Sequence, residues 1–379
     1  MDKTKLFTKI KLRELVLKNR VVVSPMCQYM AVDGHVQDWH LAHHSRFALG
    51  GVGLAFVEAT GVTRNGRITH GCTGIWNDQH ISGLRKIVDL YKSQNVAVGI
   101  QIGHAGRRAS AARPWDGAQP IENGELDEAP WECFAPSAIP EQHGHPTPRC
   151  MTTSDIQETI DAFALATQRA LDAGFDTIEI HGAHGYLIHS FFSPISNQRK
   201  DAYGGDLYKR MQFPLRVTEA VREIWPKEMP LFYRVSAVDG VPGGISIEDT
   251  AELAKELKSR GVDVIDCSSG GMTKPATLSK EKLARGYQVP YADYIRSAVG
   301  IKTMAVGLII EPQEAEDILQ NEQADLVAIA REMISNPNWT YHAALELDTD
   351  NPHDVLPDSY AFHLARRDHN LIAKSRSGN

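Results

Sequence analysis

The sequence predicts a (β/α)8 TIM barrel. Three observations lead there: apolar, β-rich runs recur about eight times, helical stretches with recognisable starts lie between them, and most runs are continuously apolar. Continuous rather than alternating apolar character marks parallel strands buried on both faces. Repeated β-α units within 379 residues close most simply into one α/β barrel domain.

In chain order the strands are expected at residues 20–24, 54–59, 97–102, 177–181, 231–235, 264–268, 303–306 and 326–330. Ser154-Asp-Ile-Gln opens a helix running to about Ala173, with Gly174 as its stop. Ser246-Ile-Glu-Asp is a capping-box start for a helix ending near Arg260-Gly261, and Glu311-Pro312 puts proline in a first turn. Three segments exceed a minimal barrel. Residues 1–19 precede the first strand and are expected to cover the barrel's bottom. Residues 103–153, rich in Pro, Gly and Trp, have the length and composition of a lid or pocket wall. Residues 347–379 form a polar tail containing Tyr360, Arg366 and Arg367.

Composition narrows the function. The chain is 42% hydrophobic and 23% charged, as a soluble globular protein is, with formal net charge −7. That acidity argues against general nucleic-acid binding, and no apolar run approaches the roughly 18 residues of a membrane helix. The five cysteines, widely spaced and without a C-x-x-C pair, suggest neither a disulfide framework nor a zinc ribbon. With no apolar signal segment at its start, the chain is expected to be cytoplasmic.

Barrel active sites form where strands end. The first three strands end in Ser24-Pro25-Met26-Cys27-Gln28-Tyr29, Glu58-Ala59-Thr60-Gly61 and Gln101-Ile-Gly-His104. The fourth opens into Ile178-Glu-Ile-His-Gly-Ala-His-Gly-Tyr186, with glycines at 182 and 185 that let the backbone turn tightly. Paired imidazoles, His181 and His184, can hold a carbonyl oxygen or its enolate, and the Tyr186 phenol can give a proton. The plain alternative makes them hydrogen-bonded core groups. Arg234 ends the fifth strand; buried there, it needs an anion, and a ligand whose negative charge comes and goes would suit it. The sixth runs into Ser268-Ser-Gly-Gly271. Gly307 and Ala330-Arg331, after the seventh and eighth, suit a phosphate, although a turn and a helix cap would use the same residues. Gln101 offers donor and acceptor to an amide-like ring edge.

Asn19-Arg20-Val-Val-Val-Ser-Pro-Met-Cys27, Gln101-Ile-Gly-His-Ala-Gly-Arg107 and Gly174-Phe-Asp-Thr-Ile-Glu-Ile-His-Gly-Ala-His-Gly-Tyr186 resemble the old yellow enzyme family. So do Ser196-Asn-Gln-Arg-Lys-Asp-Ala-Tyr-Gly-Gly205 and Ala330-Arg-Glu-Met-Ile-Ser-Asn-Pro337, in order from about residue 6 to about 346. Cys27 and the His-Gly-Ala-His pair resemble the thermophilic-like, xenobiotic-reductase subgroup. The resemblance implies FMN at the top of the barrel and reduction of activated C=C bonds by NADPH or NADH. Ser24, Pro25, Met26, Cys27, Ala59 and Gln101 would line the flavin, Arg234 would face its N1/O2 edge, and Gly307, Ala330 and Arg331 would hold the phosphate. His181 and His184 would bind a substrate carbonyl or nitro oxygen, Tyr186 would protonate the α-carbon, and Cys27 and Tyr29 would contact substrate. A homodimer or homotetramer is implied, with Tyr360, Arg366 or Arg367 crossing into a neighbouring active site; a solvated basic tail is the alternative.

Three positions depart from the family pattern: Asp206-Leu-Tyr-Lys-Arg210 at a helix start, Ala330 in place of a common glycine, and Val306 where some members carry tryptophan. An FMN-dependent isomerase or demethylase on the same barrel is the nearest competing function. A metal-dependent barrel hydrolase is the other, drawing on His40, His43, His44, His104, His181, His184 and His189. The strand ends show no convergent Asp/Glu set for it, and no metal is expected. His143-Gly-His145 in the long loop is expected to be a solvated turn.

Overall fold

The computed structural model describes residues 4–122, 128–273 and 283–377, with side chains to residue 370. Its centre is a closed barrel of eight parallel strands. These are β1 (Val21–Val23), β2 (Leu54–Gly61), β3 (Ala97–Gly103), β4 (Thr177–Gly182), β5 (Leu231–Ser236), β6 (Val264–Ser268), β7 (Lys302–Ala305) and β8 (Leu326–Ile329). Each pairs with its neighbours in sequence, and β8 closes onto β1 through Val327↔Val21 to Ile329↔Val23. The apolar runs predicted all eight, with ends displaced by two residues at most.

Helices follow the strands as expected, with one correction. Ser246 and Asp249 form a reciprocal cap on helix Ile247–Ser259, Pro312 begins helix Pro312–Gln320, and Gly174 (φ 94°) ends helix Thr153–Ala173. That last helix starts earlier than Ser154: Thr152 is its cap, its hydroxyl accepting the Asp155 N–H while the Asp155 carboxylate accepts the Thr152 N–H at 2.7 Å. Thr152-x-x-Asp155 satisfies the capping box, and Arg149 reinforces it with paired bonds to Asp155. Asp206 in the departing segment caps helix Leu207–Ile224 by accepting the Lys209 N–H.

Apolar side chains form two bodies. The larger lies between strands and helices. The smaller fills the barrel's lower interior, where Phe56 and Phe232 meet edge to face at 5.3 Å. An antiparallel hairpin, Ile10–Leu12 with Leu15–Leu17, adds Ile10, Leu12 and Leu17 to it beside Leu54, Val264 and Leu326, the first residues of their strands. Burying such a side chain stabilises by about 1.5–3 kcal/mol. The lower barrel is therefore a rigid plug, and polar groups gather above it.

Between β3 and its helix the chain folds into short turns, Gly106–Arg108 and Pro114–Asp116, and two short strands, Phe134–Ala135 and Arg149–Cys150. His145 there is not a solvated turn residue. It is half-buried, its Nδ1 3.5 Å from Glu141 Oε2. The tail carries helix Asp358–Ser377, tied to the barrel through Asp368, which accepts from Tyr341 Oη at 2.6 Å and contacts His353 at 3.0 Å.

Candidate functional site

At the strands' C-terminal ends lies a cavity of about 440 Å³. Ser24, Pro25, Cys27, Ala59, Gln101, His181, His184, Tyr186, Arg234, Gly307, Ala330 and Arg331 all line it, so residues far apart in sequence converge. Met26 and Tyr29 do not. Met26 packs against the core and its carbonyl accepts the Gln28 side chain at 2.8 Å. Tyr29, with φ 55°, packs against Trp115, 6.0 Å between ring centroids, while its hydroxyl stays in hydrogen-bonding contact with the Cys27 thiol.

The fourth strand end places both imidazoles and the phenol on one wall. Ring centroids of His181 and Tyr186 are 4.9 Å apart, those of His181 and His184 5.2 Å. The turn is made by His184 (φ 60°) and Gly185 (φ 74°). Gly182 is not a turn residue; it belongs to β4, and a Cβ there would meet the Tyr233 ring at 2.4 Å. His181 Nδ1 accepts the Ala183 N–H at 3.3 Å, so in the neutral ring the proton sits on Nε2. His184 Nε2 is 2.6 Å from Ser268 Oγ. Burial first, then the Arg234 charge, pushes both imidazoles well below the usual histidine range, so both are neutral at pH 7. Burial pushes the Tyr186 phenol up, against the Arg108 guanidinium, and it keeps its proton. Burial also pushes the Cys27 thiol up, with Glu58 adding to it, so the sulfur is a thiol there.

Arg234 departs from expectation. Its anion is already in the protein: Nε lies 3.1 Å from Asp266 Oδ2, while Nη1 donates to Ser24 Oγ at 3.3 Å. The carboxylate was overlooked because Asp266 lies inside a strand rather than at its end. Arg108 was missed too. Its guanidinium sits 5.3 Å from the Tyr186 ring and donates to the carbonyls of His184 and Gly271, holding the turn from outside. Gln288, which takes the Ser269 hydroxyl at 2.9 Å and gives its amide to Val306 O at 3.2 Å, came with no motif. Val306 itself forms part of the wall. Ala330, with φ −111° and ψ −94°, precedes the short helix Arg331–Ser335. Tyr360, Arg366 and Arg367 lie outside this cavity.

Residues 5–350 match the NADH:flavin oxidoreductase / NADH oxidase family. The chain belongs to that family. An NADPH dehydrogenase of Geobacillus thermodenitrificans (strain NG80-2) is 47% identical over 346 residues, 91% of this chain and 95% of that protein. Another from Bacillus subtilis (strain 168) is 42% identical across 93% of this chain and 97% of that one. Morphinone reductase in complex with tetrahydroNAD shares the fold with TM-score 0.72 and 26% identity, over 94% of this chain and 93% of that one. The old yellow enzyme resemblance of the motifs therefore stands: the protein is an FMN oxidoreductase that takes electrons from NAD(P)H. No helix among the described residues is long and apolar enough to cross a membrane.

Proposed function

We propose that the enzyme reduces the activated C=C bond of α,β-unsaturated carbonyl compounds, with nitro compounds as a second class. The observation that carries this is the single wall on which neutral His181 and His184 stand beside a protonated Tyr186, 4.9 Å from His181. FMN, when bound, supplies the hydride for the β-carbon.

The cavity's chemistry suits FMN. Arg234 directs a buried guanidinium at it, with Nη1 donating to Ser24 Oγ at 3.3 Å. Arg331, exposed at the rim, makes no side-chain hydrogen bond or ion pair among the described residues. Ser24, Pro25, Cys27, Ala59 and Gln101 would flank the ring, Arg234 its anionic edge, and Gly307, Ala330 and Arg331 the phosphate. Met26 leaves the set, because its side chain packs into the core.

His181 Nε2–H is a donor for the substrate oxygen. Gln288 Oε1 already takes the Ser269 hydroxyl at 2.9 Å, closer than Ser268 at 3.2 Å. We infer that with substrate bound the Ser268 proton is given to His184 Nε2 rather than to Gln288, which sets the ring proton of His184 on Nδ1 as a second donor. Two preorganised donors withdraw electrons from the conjugated system, and one such donor is worth about 10²–10³ in rate. Tyr186 delivers its proton to the α-carbon. NADPH consumption with 2-cyclohexenone, giving cyclohexanone in equal amount, tests this reading; NADPH oxidised only in step with oxygen would sink it.

The oligomer is a further part of the proposal. Tyr360 and Phe362 stand exposed on helix Asp358–Ser377, at 44% and 57%, and would meet a neighbouring subunit in a homodimer or homotetramer. Truncation after Leu356 should then lower both assembly size and activity; unchanged kinetics would remove the idea.

A further inference from the structure

Below the cavity the barrel buries two acids. Glu179 lies two residues before His181 on β4, and Asp266 two before Ser268 on β6, so the strand period turns all four side chains inward. Both carboxyls are fully buried, at 0% exposure. Among the described residues one cation reaches them, Arg234, with Nε 3.1 Å from Asp266 Oδ2. Gln101 Nε2 donates to Glu179 Oε1 at 2.7 Å. Glu179 Oε2 and Asp266 Oδ1 meet no N–H or O–H donor among the described residues, yet the two carboxyls stand within hydrogen-bonding reach of each other. Two ionised carboxylates against one arginine would leave a buried negative charge uncompensated, next to a like charge. A single proton between the acids removes that excess and satisfies the orphaned oxygens.

We propose that Glu179 and Asp266 hold one proton between them and act as a single buried monoanion, which offsets Arg234 and orients Gln101, setting the charge presented to FMN. The inference rests on FMN occupying the cavity that Gln101 and Arg234 line. Because one Gln101 amide N–H is committed to Glu179, its carbonyl and its second N–H are the groups left for the cofactor. Glu179 and Asp266 are positioning residues: they do not line the cavity and act through their neighbours.

The test compares Glu179→Gln, Asp266→Asn and the double variant with wild type. In ligand-free protein, infrared spectra of wild type show the carbonyl stretch of one protonated carboxylic acid, and either single variant loses it by leaving a lone ionised carboxylate. In the FMN-loaded enzyme each single variant keeps the monoanion, so its two-electron midpoint potential moves by less than about 15 mV, half a decade at about 30 mV per tenfold. The double variant leaves Arg234 without its anion and raises the potential by more than about 30 mV, a tenfold shift toward the reduced form. Equal, additive rises in the two single variants, or a wild type without the protonated band, would overturn the shared proton. The band present with an unmoved potential in the double variant would instead overturn the placement of FMN over this pair. If the double variant does not fold, the infrared band and the two single potentials still decide.

Discussion

The His181 imidazole and the Tyr186 phenol meet edge to face, 4.9 Å between centroids and 82° between planes. In the proposed reaction, the ring that would hold the substrate oxygen thus touches the group that would supply the proton. Replacing Tyr186 by Phe keeps the contact and removes only the O–H. Re-oxidation of the reduced flavin by an enone should slow about 10²–10⁴-fold, while reduction by NADPH changes far less. Equal slowing of both half-reactions would mean that Tyr186 serves the fold and not the proton.

Ser268 should matter through His184. Its hydroxyl lies 2.6 Å from Nε2, and by donating there it would hold the ring proton on Nδ1. Ser268→Ala frees the imidazole to exchange tautomers and leaves a polar atom unpaired, so enone KM should rise with a smaller fall in kcat. Phenolic inhibitors should weaken in parallel. A variant indistinguishable from wild type in both would show that His184 chooses its tautomer without help.

Behind the wall, Asp239 anchors the whole turn. His189 Nδ1 accepts the Gly185 N–H at 2.9 Å, and its Nε2 lies 2.9 Å from Asp239 Oδ1. Asp239 also accepts the Ser193 hydroxyl at 2.7 Å and the Ile245 N–H at 2.9 Å. Asp239→Ala strands these donors in a dry interior and should cost about 3–5 kcal/mol in urea unfolding. A loss below about 1 kcal/mol would mean water takes the place of the carboxylate.

Stability should fall in mild acid. Burial holds His43 and His104 down to about 4 and pushes His44, His181 and His184 lower than usual as well. Unfolding returns each to about 6.5, so below that pH the unfolded chain binds more protons than the native one. The contribution is therefore complete above about pH 7 and is lost as pH falls from 6.5 toward 4. Each buried histidine costs up to about 1.4 kcal/mol per pH unit in that window. Urea midpoints between pH 7.5 and 5.5 measure it, and a flat profile would contradict it.

The barrel was legible because its strands are buried on both faces, which writes an unbroken apolar run for each. Strand-end residues were legible for the same reason: Gln101, His181 and Arg234 interrupt such runs. Glu179 and Asp266 interrupt them too, two residues earlier, and an acid inside an apolar strand was a signal available in the sequence. Arg108 and Gln288 were illegible. They reach the site from loops, where direction depends on tertiary contacts such as Arg108 with Glu141, 3.0 Å apart. Tyr29, two residues past Cys27, is a similar case: a left-handed backbone sets its ring against Trp115 while its hydroxyl meets the Cys27 thiol.

In the proposed reaction this FMN enzyme passes its electrons to conjugated C=C bonds. The most direct measurement is a visible spectrum of the purified protein under anaerobic conditions, first with NADPH and then with 2-cyclohexenone. Flavin absorbance should bleach with NADPH and return with the enone, and a His181→Ala/His184→Ala variant should bleach but recover at least about 10²-fold more slowly. A protein that bleaches and stays bleached in the presence of enones and nitro compounds would contradict the assignment of substrate.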